Sequence, residues 1–179
     1  MSVKVIIIGG ENIDKYAVAK KLQALNDDLT IAPTFSSDIT LQGKITENFI
    51  YYMSDKEVET SYKNNALMWV NSTDTISIGV TKPDMYSSDI FVMTYTDFNN
   101  ISNPILNEFI DEDGIICFLD SKVNTKKDKT DSSMACERIF ELPYLYFLDE
   151  DVEYIVKMIL EYACGDDAEK EQIKNVLNN

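Results

Sequence analysis

Residues 3–8 run Val3-Lys4-Val5-Ile6-Ile7-Ile8, then Gly9-Gly10, then a polar step to Lys15, then Val18, Ala19 and Leu22 at helical spacing. An apolar, β-branched run without alternation reads as a strand buried on both faces, the habit of a central strand in a parallel sheet. A glycine turn leading from such a strand into a helix is the layout in which backbone N–H groups cradle phosphate. Gly9 and Lys15 fit the first glycine and the lysine of G-x-x-x-x-G-K-[ST]. Asp14 stands at the second glycine and Tyr16 at the hydroxyl residue that would hold Mg²⁺.

The rest of the chain continues the strand–helix alternation. Helix is expected over Lys15–Leu25, ended by Asn26-Asp27-Asp28, then a short strand Leu29–Ala32 stopped by Pro33. Residues 34–44 read as a polar loop and Thr46–Met53 as an aromatic strand. Ser54-x-x-Glu57 is a capping box opening a helix to about Lys63, which Asn64-Asn65 stops. Ala66–Asn71 and Thr73–Val80 read as a hairpin. Ser88–Tyr95 and Gly114–Leu119 read as buried strands, with a helix between them from Asp97 to about Glu112 whose start Pro104 makes irregular. A charged loop, Ser121–Thr130, precedes helix Asp131–Leu142; a short strand, Leu145–Leu148, precedes helices over Asp151–Tyr162 and Asp166–Leu177, with Gly165 between them. The expectation is an α/β protein with a parallel sheet and, over residues 34–82, an inserted β-rich unit.

Composition narrows the chemistry. With 179 residues and 45% apolar content, one domain with a real core is expected. No apolar run reaches the roughly 20 residues of a membrane span, and the strand that starts at Val3 leaves no room for a signal peptide, so a cytoplasmic protein is expected. Net charge is −15, which disfavours nucleic acid and anionic membranes as partners and fits plain solubility or a basic partner. There is no histidine, which removes histidine triads, histidine zinc sites and histidine general bases; no metal site is expected. Cys117, Cys136 and Cys164 read as buried thiols. Arg138 is the one arginine, where phosphoryl-transfer enzymes lean on several guanidinium forks.

Several segments, in order, resemble the guanylate kinase family of P-loop nucleoside monophosphate kinases, over nearly the whole chain to about residue 163. Phe49-Ile50-Tyr51-Tyr52-Met53-Ser54-Asp55-Lys56-Glu57-Val58 resembles D-Y-x-F-V-S-x-x-E-F. Lys63 to Trp69 resembles N-G-E-F-L-E-W, and Ile78-Gly79-Val80 resembles Y-G-T. Lys129-Thr130-Asp131-Ser132 with Glu137-Arg138 resembles the lid's G-T-D-S and the R-L behind it. The last strand and the acidic start of the next helix match Leu145–Leu148 and Asp149-Glu150-Asp151. The resemblance implies a three-layer P-loop fold with a five-stranded parallel sheet in residues 1–33, 88–121 and 138–179. It also implies a monophosphate-binding-like insert in 34–87 and a lid in 122–137.

Against the family's pattern, the loop at 34–44 carries no arginine: Asp38 and Leu41 stand about where two would fall. Ile50 replaces the first tyrosine, with Tyr51 beside it; Trp69 or Met68 replaces the guanine-binding glutamate; Ile78 and Val80 replace the second tyrosine and the hydroxyl. Thr94-Tyr95-Thr96 stands where the family has D-x-D, and Glu11 adds a negative charge to the loop. Two readings stand. One is a guanylate kinase-like protein that has lost catalysis and acts as a protein-binding or structural module, with no nucleotide cofactor; Ser36, Ser37, Tyr51, Trp69 and Ile78 would line the monophosphate or partner pocket. The other is an active nucleoside or deoxynucleoside monophosphate kinase of altered base choice using ATP and Mg²⁺. It would have Lys15 and Arg138 as catalytic residues, phosphate contacts from Gly9, Gly10, Lys126 and Lys127 (with Lys122 and Lys129 on the same lid), and a base pocket around Ile50, Trp69 and Ile78. The lysine- and asparagine-rich, arginine-poor usage points to an AT-rich genome such as that of a virus or phage.

Overall fold

The structure, a computed structural model, describes residues 4–111, 114–140 and 142–177. Val3, at the start of the expected first strand, and Glu112, at the end of the expected mid-chain helix, lie outside the described residues.

The main sheet holds four parallel strands in the order β6-β1-β7-β8: β1 (Val5–Gly9), β6 (Ile90–Thr94), β7 (Ile115–Asp120) and β8 (Tyr144–Leu148). Alternation along each strand divides the core into two layers. Val5 and Ile7 of β1, with Cys117 of β7, face α1 (Lys15–Leu25) and α7 (Val152–Cys164). Ile6 and Ile8, with Phe118, face α4 (Tyr95–Asn100), α5 (Asn103–Asp111) and α6 (Lys126–Ile139). Ile7 and Ile8 are both fully buried, because helices cover both faces. A further helix, α8 (Asp167–Leu177), follows α7 after Gly165.

The insert forms a second sheet in the order β3-β2-β5-β4: β2 (Thr34–Ser36), β3 (Ile50–Tyr52), β4 (Leu67–Ser72) and β5 (Ser77–Thr81). It also carries α2 (Asp55–Lys63) and α3 (Lys82–Tyr86). The Ser54 capping box forms as expected: the Ser54 N–H donates to Glu57 Oε2 at 2.8 Å, and Ser54 Oγ accepts the Glu57 N–H. The insert has its own small core of Phe35, Val58 and Leu67, with Tyr51 packed against it. Met68, Trp69 and Val80 of the hairpin belong instead to the main core, so the hairpin ties insert to body. Gly79 lets this hairpin close: a Cβ there would lie 2.3 Å from Trp69 O and 2.7 Å from the Phe35 ring.

Several expectations are corrected. Leu29–Ala32 is not a strand but a single bridge, Ile31 to Ile90, since Pro33 has no N–H to continue the ladder. The parallel sheet therefore has four strands, not five. Residues 34–44 are not all loop: Thr34–Ser36 pairs with β3 and β5, and fully buried Phe35 anchors it. The aromatic strand shrinks to Ile50–Tyr52, because Phe49 is left-handed at φ 57° in a turn closed by Phe49 N–H to Thr46 O. The helix expected from Asp97 is two helices broken near Ile101, and α6 starts at Lys126, well inside the expected charged loop. Of the cysteines, Cys117 is buried, Cys136 half-buried and Cys164 exposed; no disulfide links them. No helix among the described residues is long and apolar enough to cross a membrane.

Candidate functional site

The loop after β1 lies at the carboxyl edge of the parallel sheet, where such sheets bind ligands. Its geometry is set by its own side chains. Asp14 is the N-cap of α1: its Oδ1 accepts the Ala17 N–H at 3.0 Å, as a capping aspartate should. Lys15 is buried, and its ammonium turns back into the loop. Nζ donates to Gly10 O at 2.6 Å and to Ile13 O at 3.2 Å. Burial holds the Lys15 pKa below its ordinary value, against the pull of Asp97, Asp128, Asp14 and Glu11.

A carboxylate from another element meets the loop. Thr125 caps α6 and accepts the Asp128 N–H at 3.0 Å, which brings the Asp128 side chain over Gly10. Asp128 is buried; Oδ2 accepts Thr125 Oγ1–H at 2.9 Å, and Oδ1 lies 3.4 Å from the Glu11 N–H, a long contact. Glycine at position 10 eases this approach: a Cβ would sit tightly, 3.0 Å from Asn124 Oδ1 and 3.1 Å from Asp128 Cγ. Outside, Lys127 pairs with Glu11 at 3.4 Å. So α6 is seated on the loop through Asp128 inside and Lys127 outside.

Between loop and insert lies a cleft of 550 Å³. The loop supplies Glu11, Asp14, Lys15 and Tyr16; the insert supplies Thr34, Asn48, Ile50, Trp69 and Ile78; Asp97 closes the end of β6. Burial pushes the Tyr16 phenol up, a hydrogen bond with Thr34 pulls it down, and Asp97 adds to the rise. Asp97 is oriented by its capping role at α4: Oδ2 accepts Thr94 Oγ1–H at 2.7 Å and the Thr94 N–H at 3.2 Å. Three carboxylates thus face the cleft with one ammonium, and that ammonium is engaged by the loop's carbonyls.

The candidate residues divide. Lys15, Trp69 and Ile78 come together at the cleft with Ile50. Gly9 and Gly10 form the loop; Lys127 reaches its outer edge through Glu11. Lys126 is exposed at the start of α6 and does not line the cleft. Ser36 and Ser37 are buried and used by the backbone: Ser36 Oγ accepts the Asp38 N–H at 3.2 Å and Ser37 Oγ the Ser77 N–H at 2.9 Å. Tyr51 donates to Asp84 Oδ2 at 3.1 Å, away from the cleft lining. Arg138 is spent elsewhere. Its guanidinium donates to Phe98 O, to Ile101 O at 2.5 Å and to Asn103 Oδ1 at 3.2 Å, and lies 5.2 Å from the Phe98 ring centroid. It secures the break between α4 and α5. Sequence reasoning missed Asp97 and Asp128. Both announce themselves in a T-x-x-D cap, Thr94-x-x-Asp97 and Thr125-x-x-Asp128, of the kind already read at Ser54.

A solved guanylate kinase from Anaplasma phagocytophilum superposes on this chain with a TM-score of 0.53 at 12% identity, covering 89% of this chain and 82% of that one. The fold is guanylate kinase-like. The cleft lies between the glycine loop and the insert of that fold. No family model and no curated protein matches the sequence.

Proposed function

We propose that this guanylate kinase-like chain is a non-catalytic binding module whose partner is another protein. The observation that carries the reading is the state of the loop. Lys15 Nζ, the group that would reach β- and γ-phosphates, is bound to Gly10 O and Ile13 O, and the Asp128 carboxylate lies against the loop at the Glu11 N–H. A phosphate there would meet Asp128, Glu11 and Asp14 before it met a free cation, and like charges at such separations repel. The residues present do not fit a magnesium–ATP complex either. Tyr16, at the position of the Mg²⁺-binding hydroxyl, is a bulky phenol whose burial keeps it protonated, and Asp14 is committed to capping. Arg138, the one guanidinium, secures α4 and α5.

The alternative is an active monophosphate kinase of altered base choice. One observation favours it: Ile50, Trp69 and Ile78 do line a cleft that also reaches Lys15. Thermal unfolding with ATP–Mg²⁺ and with GMP, followed by an assay of phosphate transfer from ATP to each nucleoside monophosphate, separates the two. A bound nucleotide at 100 times its dissociation constant adds about 2.7 kcal/mol of stability. The module reading expects no shift with either ligand and no transfer. Transfer to any monophosphate, or a full shift with GMP, overturns it.

A further inference from the structure

We infer that the cleft between the glycine loop and the insert receives an arginine side chain from a basic segment of the partner protein. This rests on the binding-module reading and adds what the module binds. The cleft, at 550 Å³, lies inside the roughly 300–1,000 Å³ range of specific ligand sites. Its two walls differ in chemistry. Ile50, Trp69 and Ile78 from the insert, with Val92 and Met93 at the end of β6, make an apolar wall. Glu11, Asp14 and Asp97 make an acidic one.

An arginine has the matching halves. Its alkyl stem buries against apolar surface, and its fork of N–H donors meets carboxylates two at a time. Lys15 keeps its charge, but with Nζ drawn onto Gly10 O and Ile13 O it is outnumbered in the cleft by Glu11, Asp14 and Asp97. Two other lysines near this rim are engaged: Lys20 donates to Asn48 Oδ1 at 3.0 Å, and Lys127 pairs with Glu11 at 3.4 Å. A chain of net charge −15 adds a long-range field that draws basic segments in. An anionic ligand, a phosphorylated peptide included, meets the same three carboxylates and is repelled.

Trp69 is the one tryptophan of the chain and lines the cleft from the main core, so its fluorescence is a local reporter for this region. The probe is a capped pentapeptide, acetyl-Ala-Leu-Arg-Leu-Ala-amide, titrated at constant ionic strength. Controls are the same peptide with citrulline, which keeps shape and loses charge, and one with phosphoserine. The double variant Glu11→Gln, Asp14→Asn removes two of the three carboxylates. Asparagine is as good an N-cap as aspartate, so α1 keeps its cap. The arginine peptide is expected to change Trp69 emission saturably, the citrulline and phosphoserine peptides not at all. The double variant should bind the arginine peptide roughly tenfold more weakly, at the strength typical of two partly exposed charge pairs. Equal binding of arginine and citrulline peptides, preference for phosphoserine, unchanged affinity in the double variant, or no emission change with any peptide overturns the inference. Thermal unfolding of the double variant checks that it is folded; if it is not, Glu11→Gln alone is compared instead. The nucleotide titration is read on the same samples. Silence with both peptide and nucleotide removes this inference and leaves the module reading, whereas a GMP shift with phosphate transfer removes the reading itself.

Discussion

Replacing Asp128 with asparagine tests whether α6 is held on the loop by a charge. The substitution keeps the shape of a buried side chain and removes the carboxylate. Asp128 Oδ2 accepts from Thr125 Oγ1 at 2.9 Å, and the side chain sits in the first turn of a 14-residue helix. A hydrogen bond to a charged group is worth about 1.5–3 kcal/mol against about 1 for a neutral one, and a negative charge in the first turn of a helix adds about 0.3–1 kcal/mol. The Glu11 N–H contact, at 3.4 Å, adds little on its own. Asparagine keeps one neutral bond to Thr125 but presents either its amide N–H₂ or a weaker oxygen to Glu11 N–H. The expected loss is about 2 kcal/mol, a fall in melting temperature of about 5 °C for a domain of this size. Urea unfolding followed by far-ultraviolet circular dichroism reads it, with the denaturant slope unchanged if both forms unfold in one step. ATP–Mg²⁺ should shift neither protein. A change smaller than about 0.5 kcal/mol, within what surface substitutions give, would refute the view that this carboxylate anchors α6 to the loop. So would a wild-type protein that ATP–Mg²⁺ stabilises while the variant is indifferent to it.

Two further substitutions probe the cations. Lys15 titrates near 10.5 when unfolded and lower when folded, burial being the main cause. Between those values the unfolded chain holds more protons, so stability from this group rises with pH across that window. Subtracting the urea stability of Lys15→Met from that of wild type at each pH should give a difference that climbs toward pH 10.5; a flat difference would mean that the ammonium is not buried in the fold. Arg138→Met removes the guanidinium's bonds to Phe98 O and Ile101 O and its contact with the Phe98 ring. It should cost about 2 kcal/mol, with Arg138→Lys recovering less than half because an ammonium lacks the fork; equal stability of all three proteins would mean that the α4–α5 break needs no guanidinium.

The parts of the fold legible in the sequence are those where local pattern and tertiary demand agree. Val5–Gly9 reads as a doubly buried strand and is one, because α1 and α7 cover one face while α4, α5 and α6 cover the other. The Ser54 capping box and the stop at Asn64-Asn65 are local signals, and the stop is seen in the left-handed Asn65 at φ 53°. What was not legible depends on distant partners. Thr34–Ser36 looks polar, yet Phe35 alone anchors it beneath the hairpin, where Gly79 makes room. Ser36 and Ser37 look available for a ligand, but their hydroxyls satisfy backbone N–H groups within the insert. Arg138 fits the family's motif by position, and its hydrogen-bond partners lie 35 to 40 residues away in sequence. Motif position fixes where a residue falls on the helix, and the neighbouring helix decides what its side chain does.

On the proposed reading, the departures at the loop form one physical solution. A loop built to surround phosphate leaves N–H groups pointing inward and a cation nearby, and these need partners when no phosphate comes. In this chain Asp14 takes up an N–H at the start of α1, Lys15 closes on two loop carbonyls, and Asp128 comes over Gly10 from α6. Each change alone would weaken a nucleotide site; together they supply the loop with internal partners and leave its outer side acidic. Restoring a nucleotide site would therefore take more than returning glycine and serine to positions 14 and 16. With Asp128 still seated over Gly10 and Asp97 still facing the cleft, the reverted loop would meet a triphosphate with its anions in place and its lysine engaged.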